Sequence, residues 1–181
     1  MTRDECIQVV KENCKNRNLF KHMLATEAVM AGLAERLGED RDEWATAGLV
    51  HDLDYDETAD LPEKHGLVSA EMLEKMGFSD ELVHAVKAHN AHVPRESAMD
   101  RALYASDPVT GLIVAAALMH PSKKLAEVDV DFIMRRFKEK RFAAGADRDQ
   151  IGSCSELGLE LEEFIGIALT SMQGISDELG L

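Results

Sequence analysis

At 181 residues, 45% hydrophobic and 30% charged, the chain is long enough to bury a substantial core and has the composition of a soluble globular protein. Its formal charge of −14 argues against nucleic-acid binding through a broad basic face; an anionic substrate would need clustered cations or metal ions to offset that field. No run approaches the ~18 apolar residues of a membrane span, the charged start lacks a signal-peptide core, and three cysteines without CxxC spacing suggest neither disulfides nor a zinc–thiolate site. A reducing, cytoplasmic setting without membrane contact is expected.

Apolar residues recur with helical period, and no segment of four or more alternates as a strand would. Helices are predicted over 3–14, 18–37, 41–52, 63–76, 79–90, 97–119, 129–140, 147–157 and 160–179. Gly38, Gly77, Gly145 and Gly158 fall at breaks as helix C-terminal glycines do, and Ser79, Ser97 and Asp147 stand as N-caps. Pro108 lies inside the 97–119 helix and is expected to kink it. No repeat, low-complexity tract or dividing linker is present, so the expectation is one compact all-α domain over 1–181.

Taken in order, the helices bring polar side chains onto apolar faces. In 18–37 the stripe is Leu19, His22, Thr26, Val29 and Leu33; in 41–52 it is Trp44, Ala47, Gly48 and His51. In 63–76, His65 aligns with Val68, Met72 and Met76. In 79–90, Leu82, Val86 and His89 align, with His84 pointing about 140° away from His89. In 97–119, Asp107 interrupts the face of Leu103, Thr110, Val114 and Leu118. An unpaired buried carboxylate is costly, so Asp107 should meet a cation or several donors.

Each residue alone has a plainer explanation. A single histidine on an apolar face is usually a satisfied core residue, and an aspartate beside proline is usually a cap. Four histidines and two aspartates on the inner sides of five successive helices are a different matter. Imidazole with carboxylate suits divalent first-row metals. His51 and Asp52, adjacent in "LVHDLDYDE", then look like the centre of a metal site.

These residues resemble the HD-domain superfamily of metal-dependent phosphohydrolases, named for an adjacent His-Asp pair. The ordered pattern is His22 in "LFKHMLATEA", His51–Asp52, His65 in "EKHGLVSAEML", His89 in "AVKAHNAH" and Asp107 in "ALYASDPVTG". The phrasing is similar to HD-type diadenosine tetraphosphate hydrolases and to HDIG-type predicted hydrolases. The whole chain also resembles a bacterial group of HD proteins without a settled substrate, with a late segment like "FAAGADRDQI". The resemblance covers about 18–118 and implies a helical bundle with a C-terminal helical extension over 119–181.

The resemblance further implies that one metal takes His22, His51, Asp52 and Asp107, and another takes His65 and His89, with Asp52 bridging. Up to two divalent ions per chain are expected, Fe or Mn first, with Co, Ni, Zn or Mg as alternatives. The implied reaction is hydrolysis of a phosphate ester or anhydride in a small molecule such as a nucleotide, by a metal-bridging hydroxide, with His51 and Asp52 at its centre. A di-iron oxygenase and a non-catalytic metal- or nucleotide-binding sensor are the alternatives. Two departures bear on substrate: the pair is followed by Leu53-Asp54-Tyr55 where many relatives read HDxGK, and no GYP follows His89.

Lys64, Lys87, His92 and Arg95 are candidate substrate contacts by proximity to ligands, with solvated surface charge as the alternative. Asp54, Asp56 and Glu57 are outer acceptors for ligand imidazoles or turn residues. The basic run "RRFKEKR" over Arg135–Arg141 reads as a solvated helix face, with a phosphate-binding lid as the alternative. An oligomer is compatible with all of this.

Overall fold

The computed structural model describes residues 1–181 and is all-α. Its helices are α1 Arg3–Asn13, α2 Arg17–Leu37, α3 Arg41–Val50, α4 Tyr55–Thr58, α5 Leu67–Met76, α6 Asp80–His89, α7 Ala98–Met119, α8 Val130–Phe137, α9 Arg148–Gly152, α10 Leu161–Gln173 and α11 Ser176–Leu179. Two 3₁₀ turns, Leu125–Glu127 and Ser153–Leu157, join the later ones.

Local chemistry sets many of the ends. Ser79 accepts from the Leu82 amide, Asp147 accepts from Asp149 and Gln150, and Ser97 forms a capping box with Asp100. Gly38, Gly77 and Gly158 end their helices in the left-handed conformation. Gly145 does not: it sits in a turn, three residues before α9.

Several expected boundaries are corrected. The 63–76 helix begins only at Leu67, because 62–66 are turns and Gly66 takes a φ of 82°. The 129–140 helix stops at Phe137, 147–157 divides into α9 and a 3₁₀ turn, and 160–179 breaks at Gly174.

α2 lies at the centre, packed on α3, α7 and α10, while α7 packs on α6 and on α8–α9. One contiguous core runs from Cys6 and Val10 on α1, through Met23, Leu49, Leu103 and Ile113, to Phe164 on α10 and Leu179 on α11. Gly48 lets α2 and α3 approach: a Cβ there would stand 2.6 Å from the Thr26 carbonyl oxygen. No larger residue fits that crossing.

α7 overturns one expectation. Its best 18-residue window has a mean hydropathy of 1.5, long and apolar enough by composition to cross a membrane. Here 56% of that window is buried within the bundle. Pro108 does not interrupt α7. Proline has no N–H for the Tyr104 carbonyl four residues back, and the Gln150 side-chain amide donates to that oxygen instead, at 2.8 Å. The outer end of the Asp107 stripe is also corrected: Leu118 is exposed.

Candidate metal centre

Four imidazoles and two carboxylates meet between α2, the α3 terminus, the turn before α5, the end of α6 and the middle of α7. The structure therefore brings together all six of His22, His51, Asp52, His65, His89 and Asp107. Nε2 of His22 lies 3.3 Å from Nε2 of His51, and Nε2 of His89 lies 3.2 Å from Nε2 of His65. Asp107 Oδ1 is 3.1 Å from His22 Nε2 and 3.9 Å from His51 Nε2.

The other ring nitrogens determine what those Nε2 atoms can do. His51 Nδ1 donates to the Gly48 carbonyl at 2.9 Å and His89 Nδ1 to the Val86 carbonyl at 2.6 Å. Both acceptors belong to the last turn of their own helix, where carbonyls lack intrahelical partners. His65 Nδ1 donates to Asp54 Oδ1 at 3.0 Å. His22 Nδ1 donates to Thr110 Oγ1 at 2.9 Å, the threonine having given its own proton to the Asp107 carbonyl. With every Nδ1 proton directed outward, each imidazole turns its Nε2 inward, a lone pair wherever the ring is neutral. Lone pairs at these separations repel unless a cation lies among them.

Asp52 completes the pattern. Its Oδ1 is 3.3 Å from His51 Nε2, 3.4 Å from His65 Nε2 and 3.5 Å from His89 Nε2, and its Oδ2 is 3.6 Å from His22 Nε2. Oδ1 is buried and receives no hydrogen bond. An orphaned buried carboxylate oxygen is expensive without a cation. Burial opposes charge on His51, yet Asp52 and Asp107 outweigh it and raise the imidazole to about 9. Burial likewise opposes the charge on Asp52, but His51, His89 and His22 hold it well below the ordinary range. The donor set thus fits a cation of divalent-metal type, and two overlapping groups have donor atoms within 4.8 Å of one another: His22, His51 and Asp107, and His51, Asp52 and His89.

Asp54 supports His65 as an outer acceptor. Its Oδ2 takes the Gly66 and Ser69 amides at 2.8 and 2.9 Å. Burial would raise its carboxyl, and the donors from His65 and Ser69 bring it below its usual value. Asp56 plays a different part, accepting from the Lys15 and Asn16 amides and so tying the start of α2 to α4. Glu57 is exposed.

A cavity of about 650 Å³ opens over His22, Asp52, His65 and Asp107. Tyr55, 41% exposed and edge-on to His65 at 5.1 Å, forms one side. Asn16, Asn18 and Gln150 contribute amides, and Ala143, Gly145 and Ala146 form a further wall. A larger cavity, about 810 Å³, between the start of α1, α2, α3 and α10–α11 contains none of the six.

Lys64, Lys87, His92 and Arg95 do not line the cavity over the cluster. Lys64 is exposed in the turn before His65, and Lys87 is half-buried on α6. His92 Nε2 contacts the His65 carbonyl at 2.7 Å and braces that turn. Arg95 pairs with Glu156 at 2.7 Å and stacks over Tyr104 at 4.1 Å. The residues missed from sequence are Asn16, Asn18, Tyr55 and Gln150. Thr110 was visible only as part of the Asp107 stripe.

A family model described as HD domain matches residues 19–118, more than half of the chain. The chain belongs to the HD domain family. The chain is 29% identical over 96 residues to a ribonuclease Y of Oleidesulfovibrio alaskensis, covering 53% of this chain and 18% of that one. It is 28% identical over 137 residues to ribonuclease Y of Desulfotalea psychrophila, covering 74% and 26%. With ribonuclease Y of Opitutus terrae the identity is 24% over 165 residues, covering 90% and 29%. The chain thus spans less than a third of the length of these relatives. Their name stands against the expectation, drawn from net charge alone, that nucleic acid is excluded. No solved structure matches.

Proposed function

We propose that the HD cluster holds one or two divalent ions and that the chain is a metal-dependent hydrolase of phosphate esters or anhydrides. His22, His51, Asp52 and Asp107 would hold one ion; His65 and His89 would hold the other, sharing Asp52. The observation that carries this reading is the undonated Oδ1 of Asp52, set among three imidazole nitrogens whose protons all go elsewhere. When bound, such ions offset charge on phosphoryl oxygens and make hydroxide available near neutral pH.

The chain's own residues orient and admit the substrate. No lysine or arginine lines the cavity, so charge compensation for a phosphate falls to the cluster itself. Asp107, 31% exposed, and His22, 23% exposed, face the open side, while His51 and His89 lie fully beneath them. Asn16, Asn18 and Gln150 offer amide donors and acceptors, and Tyr55 offers an aromatic face. A volume of about 650 Å³ suits a nucleotide-sized group. The relatives' name extends the class of candidates to the phosphodiesters of RNA.

The test is anaerobic purification, metal analysis, then reconstitution with Fe, Mn, Co, Ni or Zn and a screen of nucleotides, dinucleoside polyphosphates and short RNA. Multiple turnover with bound metal is the expected result. A protein that stays metal-free after reconstitution sinks the reading, and turnover that requires O₂ replaces it with an oxygenase.

A further inference from the structure

The basic run forms the helix face its sequence suggests only in part, with Arg135 and Arg136 on α8. α8 ends at Phe137, and Lys138, Lys140 and Arg141 come after it in turns, all exposed. Glu139, the one acid among them, is paired with Arg136 at 2.9 Å. Three cations in four residues are therefore left without a carboxylate, in a chain of net charge −14.

The segment immediately after these cations is tightly built. The Arg148 guanidinium donates to the carbonyls of Phe137, Phe142, Ala143 and Ala146, at 3.1, 2.6, 3.0 and 2.5 Å. An arginine spent wholly on backbone carbonyls has one structural result: the turn from 137 to 146 is held in a single shape. Ala143 is held at a φ of 45°, which a residue with a Cβ rarely adopts. Ala143, Gly145 and Ala146 wall the cavity over His22 and Asp107, so Arg141 stands two residues from that wall. The wall and its cations lie beyond residues 19–118, the part matched by the family model.

We propose that residues 138–148 form an arm that recognises a second phosphate of the substrate, one the metal cluster does not hold, through Lys138, Lys140 and Arg141. The inference rests on the phosphohydrolase reading. Substrate with a single phosphate would leave these cations idle. The shared chemistry is a chain of phosphates, and it has two sources: the phosphodiesters of an oligonucleotide or the anhydrides of a dinucleoside polyphosphate.

The experiment measures binding to the metal-reconstituted full chain, separately from turnover. Fluorescence anisotropy tracks dye-labelled hexathymidylate, with diadenosine tetraphosphate as competitor. The triple variant Lys138→Ala/Lys140→Ala/Arg141→Ala is compared with Lys75→Ala/Lys123→Ala/Lys124→Ala, which removes as much charge from exposed sites elsewhere. The arm variant should weaken one probe by about tenfold or more. For hexathymidylate it should also flatten the dependence of log affinity on log salt by about 2, as expected for three lost phosphate contacts. Loss on hexathymidylate assigns a phosphodiester chain; loss on diadenosine tetraphosphate alone assigns an anhydride chain. Equal weakening by both triple variants, or no binding of either probe to the unaltered protein, overturns the arm. Metal-loaded protein that binds a probe through the arm but turns over no phosphoester leaves the arm standing and removes the hydrolase reading.

Discussion

The two histidines at the floor of the cluster and the two at its mouth are held by different means. His51 and His89, 0% and 1% exposed, are each fixed by a carbonyl three residues back in the same helix. His22 and His65, 23% and 13% exposed, are each fixed by a side chain from another element, Thr110 on α7 and Asp54 in the turn after His51. The floor is thus set as soon as α3 and α6 form. The mouth is set only once α2, α7 and the turn before α5 have packed.

The largest effect should come from Asp52, whose carboxylate lies within 3.6 Å of all four Nε2 atoms, floor and mouth. Asp52→Asn keeps the shape and removes the charge, and turnover should fall by more than about 100-fold, with loss of at least one ion. Metal-free Asp52→Asn should melt lower than the unaltered protein near pH 6.5, because the carboxylate that pairs with the protonated His51 has lost its charge. Retention of both ions and near-full rate in Asp52→Asn, alongside a dead Asp54→Asn, would place the bridge two residues later.

Next come the supports of the mouth. Asp54→Ala removes the acceptor of His65 Nδ1 and the partner of two buried amides, and metal affinity should drop about 10–100-fold. Thr110→Val keeps volume and deletes the hydroxyl that accepts from His22 and donates to the Asp107 carbonyl, so a loss near the lower end, about tenfold, is expected. Metal titration by calorimetry compares them. Equal affinity in all three proteins would mean that the mouth histidines need no outside support.

Proton competition should give about tenfold per pH unit. In the metal-free protein His51 is raised above its ordinary value of 6.5 to about 9. The stability from its pairing with Asp52 and Asp107 is fully present below about pH 6.5 and is lost as pH rises through about 9. Metal binding runs the other way, since an ion must displace that proton, so affinity should climb with pH and level near 9. Melting curves and metal titrations from pH 6 to 10 check both signs; a flat metal affinity would show His51 already neutral.

The smallest effect is expected at His84, which turns away from the cluster and meets Asp100 at 2.9 Å. His84→Ala should leave metal content unchanged. Loss of both ions with the fold intact by circular dichroism would overturn the facing of α6.

The sequence disclosed three of the four histidines better than the fourth, for a physical reason. His22, His51 and His89 lie on regular helical faces, so a period of 3.6 residues locates them. His65 was found by a stripe with Val68, Met72 and Met76 that does not exist as a helix face: His65 precedes α5, and Met76 is 40% exposed. The Asp54 carboxylate turns His65 inward, and no periodicity records it. The all-α architecture was legible from the same periodicity, but α4 was not, being a single turn. The wall at 143–150 depends on Arg148 bonding to nearby carbonyls and Gln150 to a distant one, and a carbonyl leaves no trace in a residue pattern.

Gly48 has a bearing on anyone who would move this site to another scaffold. The same residue supplies the closest crossing of α2 with α3 and the carbonyl that orients His51. A graft that copied only the six side chains and filled this position with alanine would push two backbones apart, at a cost of about 1–3 kcal/mol. It would also separate His22 from His51. The transferable unit is therefore a pair of helices at a fixed spacing, and its smallest residue sets the scale.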